Sequence, residues 1–179
     1  MDIGFPIQTE RMIIRELTLR DADFIFQLLN TPGWLKYIGD RGINSIEDAK
    51  NYLLEGPLKS YSKNGFGLYL VLMRNGLQKL GIAGLLKREY LPFPDIGFAF
   101  LPEFEGKGFA FECSKAILGY SKVKLGLDKI QAIVLPKNNR SIRLLEKLGM
   151  EDQGLFLFPG QNDQLRLFQI DLEKNAPQT

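Results

Sequence analysis

Apolar and charged residues alternate between Arg11 and Leu17 (Met12, Ile13, Ile14, Arg15, Glu16), in a stretch rich in β-branched side chains. That period of two predicts a strand. Asp21 then stands where an N-cap would precede Phe24, Ile25, Leu28 and Leu29, whose spacing is helical. Ser45 and Asp48 have the spacing of a capping box with a shortened acid, and they open a second helical pattern through Ala49, Tyr52 and Leu53. Gly56-Pro57 should kink or split that helix, because proline lacks the N–H that continues the ladder. Two strand-like runs, Phe66 to Met73 and Leu80 to Lys87, flank Asn75-Gly76 and read as an antiparallel hairpin. Asp95 to Leu101 is apolar on both faces, as a central strand is.

Beyond that strand the period changes. A glycine-rich turn, Glu105 to Phe109, leads into Ala110, Cys113, Ile117, Leu118 and Val123 at helical spacing. Ile130 to Leu135 reads as a buried strand and Asn139 to Leu148 as a short amphipathic helix stopped by Gly149. Leu155 to Phe158 and Leu165 to Leu172 read as a closing strand pair around Pro159-Gly160-Gln161-Asn162. The order β-α-α-β-β-β-α-β-α-β-β predicts an α/β chain of the α+β type, its sheet largely antiparallel with one strand-helix-strand crossover.

Composition narrows the chemistry. A chain of 179 residues with 45% apolar side chains is expected to form a single domain over 1–179, with a flexible tail from about Lys174. The net charge of +2, without runs of like charge, argues against nucleic acid as a partner. No charged-then-apolar leader opens the chain and no long apolar run interrupts it, so no membrane association and a cytoplasmic location are expected. The one cysteine, Cys113, forbids an internal disulfide, and the absence of histidine removes the commonest transition-metal ligand, so no metal is expected. Lack of histidine also removes Ser-His and Cys-His nucleophile systems. Protons must move through carboxylates, Tyr, Ser, Lys or water.

The segment Pro102-Glu103-Phe104-Glu105-Gly106-Lys107-Gly108-Phe109-Ala110 joins a strand to the start of a helix through small residues. The first N–H groups of a helix lack intrahelical partners, the helix dipole favours anions, and glycine lets a phosphate approach the backbone. An ordinary glycine-rich connection would look the same locally.

Other segments bear on that choice, and with them the chain resembles the GNAT acetyltransferases, in particular their ribosomal-protein-alanine acetyltransferase (RimJ/RimL-like) branch. Thr9-Glu10-Arg11-Met12-Ile13-Ile14-Arg15 is similar to that branch's first strand, Trp34-Leu35-Lys36-Tyr37-Ile38 to its substrate-side segment, and Asp95-Ile96-Gly97-Phe98 to its fourth strand. Glu105 to Ala110 resembles the family's Gln/Arg-x-x-Gly-x-Gly/Ala loop, with Glu105 departing at the first position. Asn138-Asn139-Arg140-Ser141 and Leu145-Glu146-Lys147-Leu148-Gly149-Met150 resemble its Asn-x-x-Ser helix and closing motif.

The resemblance implies the GNAT fold and transfer of acetyl from acetyl-CoA to a primary amine, a protein N-terminus or a small amine. It assigns the pyrophosphate to the amides of Lys107, Gly108, Phe109, Ala110 and Phe111, and the pantetheine arm to the backbone of Phe98, Ala99, Phe100 and Leu101. Asn138 would also contact coenzyme A, and Ser141 would stand near the thioester sulfur as the proton donor to the leaving thiolate. Glu105 would repel the pyrophosphate unless it turns outward. Asp95, Glu89 and Glu103 are the carboxylates that could take the amine's proton, directly or through water. Trp34 and Tyr37 fit an acceptor pocket or core filling equally. Phe156 and Phe158 occupy a late strand where many relatives carry a tyrosine acid.

Two rivals stand beside this reading. Gly106-x-Gly108 with Asp128 downstream has the outline of a dinucleotide fingerprint, but Phe111 takes the third glycine position and the preceding strands are hairpin-like. The other is a module of the same fold that binds acyl-CoA without turnover. Neither the acceptor nor the oligomeric state, monomer or homodimer, is legible in the sequence.

Overall fold

The computed structural model describes residues 6–160 and 162–174. Gln161 of the expected turn and the expected tail beyond Lys174 lie outside or at the end of these residues. Eight strands form a single sheet in the order β1-β2-β3-β4-β5-β6-β8-β7, comprising β1 Ile7–Gln8, β2 Met12–Glu16, β3 Leu68–Met73, β4 Lys79–Leu86, β5 Asp95–Phe100, β6 Lys129–Val134, β7 Glu151–Phe156 and β8 Leu165–Asp171. All neighbours are antiparallel except β5 and β6. The helices are α1 Ala22–Leu29, α2 Pro32–Tyr37, α3 Ile46–Leu53, α4 Lys59–Asn64, α5 Phe109–Val123 and α6 Asn139–Lys147.

Local chemistry explains most of these boundaries. Ser45 caps α3 by accepting the Asp48 N–H at 3.1 Å, while the Asp48 carboxylate reaches back to the Asn44 N–H, one residue earlier than a regular capping box. Gly56-Pro57 does not end the helical path. The path runs from α3 through a π-helical turn, Leu54–Leu58, into α4, and the wider turn accommodates the proline where α-helical spacing would not. Asp21 occupies the N-cap position of α1, but its side chain makes no capping bond there. Its buried carboxylate folds back onto the Thr18 N–H at 2.9 Å and pairs with Arg15 at 2.9 Å and Lys79 at 2.8 Å. Burial pushes its pKa up, but the bonds from Arg15, Lys79 and Thr18 outweigh that and hold it well below the ordinary carboxylate range.

Two elements depart from the sequence pattern. The short helix α2 is set by Thr31, whose hydroxyl accepts the Trp34 N–H, and by Pro32 in the first turn. Strand β7 begins at Glu151, four residues before the expected Leu155, and all six of its residues are exposed. Its residues Glu-Asp-Gln-Gly carry no apolar alternation, so only pairing with β8 makes it a strand.

The core joins β2–β5 and β8 with α1, α3 and the buried stripe Phe109, Cys113, Ile117 and Leu118 of α5. Alternation along β5 sends Asp95, Gly97 and Ala99 to one face of the sheet, and Ile96, Phe98 and Phe100 to the other. Among the described residues, no helix is long and apolar enough to cross a membrane, and no cluster of potential metal ligands occurs.

Candidate active site

The functional cleft originates in a failure of pairing. Strand β5 pairs along its whole length with β4, and β6 along its whole length with β8, but β5 and β6 share the single register position Asp95↔Gln131, secured by the Gln131 N–H on the Pro94 carbonyl at 2.9 Å. Past that point the two parallel strands diverge and open a cleft of about 690 Å³. The hydrogen bond from Leu101 N–H to Leu80 O fixes which backbone groups of β5 face β4. By alternation, the amides and carbonyls of Phe98 and Phe100 face the gap, a sheet edge ready to pair with an extended ligand.

The start of α5 lies at the same gap. The first helical bond at its N-terminus runs from Glu112 N–H to Gly108 O, so the amides of Phe109, Ala110 and Phe111 have no intrahelical acceptor. Gly106 and Gly108 hold positive φ angles of 73° and 82°, which turn the chain into the helix and keep side chains clear of those amides. Gly106, Gly108, Phe109, Ala110 and Phe111 all line the cleft. From the other wall come Asn138, which caps α6 by accepting the Ser141 N–H at 3.2 Å, and Ser141, half-buried with its hydroxyl free of any intramolecular hydrogen bond among the described residues.

Of the residues expected at the donor site, Phe98, Ala99, Phe100, Gly108, Phe109, Ala110, Phe111, Asn138 and Ser141 are brought together here. Leu101 and Lys107 are not. Leu101 spends its N–H on Leu80 and its carbonyl on Phe104, while the Lys107 carbonyl accepts from Arg11 and its ammonium stands 5.8 Å from the Phe104 ring centre. Glu105 does line the cleft, but as half of an ion pair with Arg140 at 2.6 Å rather than as a bare charge.

Sequence reasoning passed over the groups that hold this loop in place. Arg11 donates its backbone N–H and its Nε to the two oxygens of Glu112 (3.0 and 2.7 Å) and its Nη1 to the Lys107 carbonyl (3.0 Å). Its guanidinium also covers the Phe109 ring at 4.4 Å. Arg11 thus ties the segment before β2 to the glycine turn and to the first turn of α5. The 101 residues separating Arg11 from Glu112 hid the pair from any local pattern.

Among the three carboxylates considered as proton acceptors, only Asp95 lines the cleft; Glu89 and Glu103 are exposed elsewhere. Asp95 is 2% exposed, and both its oxygens accept from Arg88 Nε at 3.0 Å. Burial raises its pKa, and the Arg88 charge and hydrogen bonds oppose that without reversing it. Trp34 is both core and cleft wall: it is 5% exposed, and its indole N–H has no acceptor among the described residues. Tyr37, Tyr52, Lys36 and Arg41 continue that wall. Phe156 and Phe158 lie away from the cleft, the first on the exposed edge strand, the second packed with Leu91, Leu165 and Leu167. Cys113 is fully buried against the Ala110 carbonyl, and desolvation pushes its thiol up to about 12, so no thiolate is on offer. Asp128 is exposed and does not line the cleft, and the mostly antiparallel sheet is not a dinucleotide-binding βαβ array.

A splayed parallel pair with a free strand edge beside an open helix N-terminus is an arrangement able to pair with an extended ligand and to receive an anionic group. The Acetyltransferase (GNAT) domain family matches residues 11–151. The N-acetyltransferase YoaA of Bacillus subtilis (strain 168) is 30% identical over 84% of this chain and 86% of its own length. A ribosomal-protein-S5-alanine acetyltransferase from Vibrio fischeri superposes with TM-score 0.80 at 19% identity, covering 97% of this chain and 100% of that one. A spermidine N-acetyltransferase from Vibrio cholerae, in complex with CoA and spermine, superposes with TM-score 0.76 at 23% identity, over 93% and 98%. This chain belongs to the GNAT acetyltransferase family and is an acetyl-CoA-dependent acyltransferase.

Proposed function

We propose that acetyl-CoA lies along the free edge of β5 with its pyrophosphate on the start of α5, and that a neutral primary amine attacks the thioester from the Asp95 side. The observation that carries this reading is the divergence of β5 from β6, which leaves the Phe98 and Phe100 amides unpaired beside the free N–H groups of Phe109, Ala110 and Phe111. The donor set fits the ligand: strand amides match the amide groups of a pantetheine arm, and helix N–H groups with positive-φ glycines match a pyrophosphate. Asn138 and Arg143 on the α6 wall extend it.

In this scheme Asp95, directly or through water, takes the proton that the incoming ammonium must lose before the neutral amine attacks. An alkylamine with a pKa of about 10.4 is otherwise largely unreactive at neutral pH. A strand amide receives the developing oxyanion, the carbon–sulfur bond breaks as the amide bond forms, and Ser141 delivers a proton to the leaving thiolate. A protein N-terminus, the acceptor of the RimJ/RimL-like branch, and a small amine both meet these requirements.

The test is thiol release from acetyl-CoA across a panel of amines, run beside thermal unfolding. Acetyl-CoA and CoA at about a hundredfold over Kd should each add about 2.7 kcal/mol, where NAD adds nothing. Turnover with at least one amine supports the reading. Stabilisation without any thiol release would support a non-catalytic acyl-CoA module instead, and no response to either ligand would overturn both.

A further inference from the structure

One contact joins two walls of the cleft at its phosphate end. Arg140 Nη1 donates to Glu105 Oε2 at 2.6 Å, linking the glycine turn before α5 to the first turn of α6. Three residues, Gly106 to Gly108, separate Glu105 from the first free amide, at Phe109. Chain connectivity alone therefore keeps the Glu105 backbone within about 14 Å of that amide. On the other wall, Arg140 lies between Asn138, which caps α6, and Ser141, whose N–H that cap receives.

The other cations around the turn are committed elsewhere. Arg11 is held by Glu112, the Lys107 carbonyl and the Phe109 ring, Lys107 stands over Phe104 and Lys147 over Phe111, and none of the three lines the cleft. Arg140 does line it, with a side chain 58% exposed on a carboxylate that is itself 35% exposed. So hydrated a pair is held weakly. A phosphate brings more negative charge than a carboxylate and offers the guanidinium the same forked geometry, so it competes well for Arg140. The Arg88–Asp95 pair has no such freedom, because its acid is 2% exposed. On its far side Glu105 Oε1 meets Gly33, 3.5 Å from where a Cβ would stand, so no second cation holds the carboxylate there.

We infer that the Glu105–Arg140 pair is a latch across the phosphate end of the donor cleft: a phosphate group of CoA takes Arg140 from Glu105, which turns to water and recaptures Arg140 when CoA leaves. This rests on the placement of acetyl-CoA proposed above. Glu105 is then an internal competitor of the phosphates, lowering affinity for donor and product alike, and Arg140 is a phosphate ligand held in reserve. The contrasting role for the same two residues is a static shield, in which Arg140 only cancels the Glu105 charge and stays on it with CoA bound.

The double variant separates the two roles. Exchange occurs only where the phosphate holds Arg140 better than Glu105 does, so removing both side chains costs a latch its ligand, whereas it leaves a neutral shield neutral. Calorimetric Kd values for CoA are compared for the wild type, Glu105→Gln, Arg140→Gln and the double variant, with thermal unfolding of each ligand-free protein showing that it is folded. Glu105→Gln should bind about two- to fivefold more tightly than the wild type, and the double variant about three- to tenfold more weakly. Arg140→Gln should be the weakest of the four, since it leaves Glu105 bare beside the phosphates. The gap between Glu105→Gln and the double variant should narrow as salt is raised. A double variant that binds CoA as well as the wild type, or a Glu105→Gln that binds no more tightly, would overturn the latch while leaving the placement of CoA standing. A wild type that does not bind CoA at all would sink both.

Discussion

The two ends of the cleft are built from different materials. At the donor end the working groups are backbone: strand amides of β5 left over when β6 diverges, and helix amides left over at the start of α5. At the proposed acceptor end they are side chains, Asp95 of β5 answered by Arg88, with Tyr52 of α3 on the cleft wall. A backbone site depends on φ, ψ and small residues, so it tolerates sequence drift and serves one common ligand. A side-chain site is rewritten by single substitutions, which suits recognition of different acceptors on the same fold.

The comparison breaks most visibly at Asp95. Asp95→Asn should lower kcat about 10²- to 10⁴-fold while stabilisation by CoA persists, because the donor end makes no use of that carboxylate. A variant that loses both would unite the two ends. The pH profile gives the sign independently: burial raises the Asp95 pKa, the ionised form is the active one, and so activity should climb with pH through a limb displaced above the ordinary carboxylate range. That limb should vanish in Asp95→Asn.

Next in size is Gly108→Val, which forces a β-branched residue into φ 82° with its Cβ 3.4 Å from Arg11 Nη2. Strain of about 1–3 kcal/mol at the turn should cut kcat/KM for acetyl-CoA by about ten- to a hundredfold. Arg11→Met removes the clamp on the same loop. Its KM should rise about tenfold for acetyl-CoA but stay put for acetyl-pantetheine, which has no pyrophosphate; an equal rise for both donors would show that Arg11 acts only on general stability. Smallest is Glu105→Gln, which removes one negative charge from the phosphate end and frees Arg140. CoA affinity, measured by calorimetry, should improve about two- to fivefold, on the scale of one partly exposed ion pair.

How much of this could be read from residue order follows the same division. The glycine turn, the Asn138–Ser141 cap and the apolar period of α5 are local patterns, and the structure keeps them at the positions they mark. The order of the longer strands and helices was equally legible, since burial of an apolar stripe imposes a period of two or 3.6, while the two-residue β1 and the short α2 were missed. Strand β7 was misplaced because an edge strand exposed on both faces has no stripe to bury. Pro57 was read as a break because the sequence does not reveal that a π-turn can carry it.

The chain's own sequence thus determined the fold class, the glycine turn before α5 and the lack of any histidine, all of which rest on residue type and short-range spacing. Only the tertiary structure decided which of three acids enters the cleft, that Glu105 is answered by Arg140, and that Arg11 braces the turn from 101 residues away. Those facts depend on where strands diverge and on which distant charges meet. Through-space electrostatics and packing leave no period in the chain.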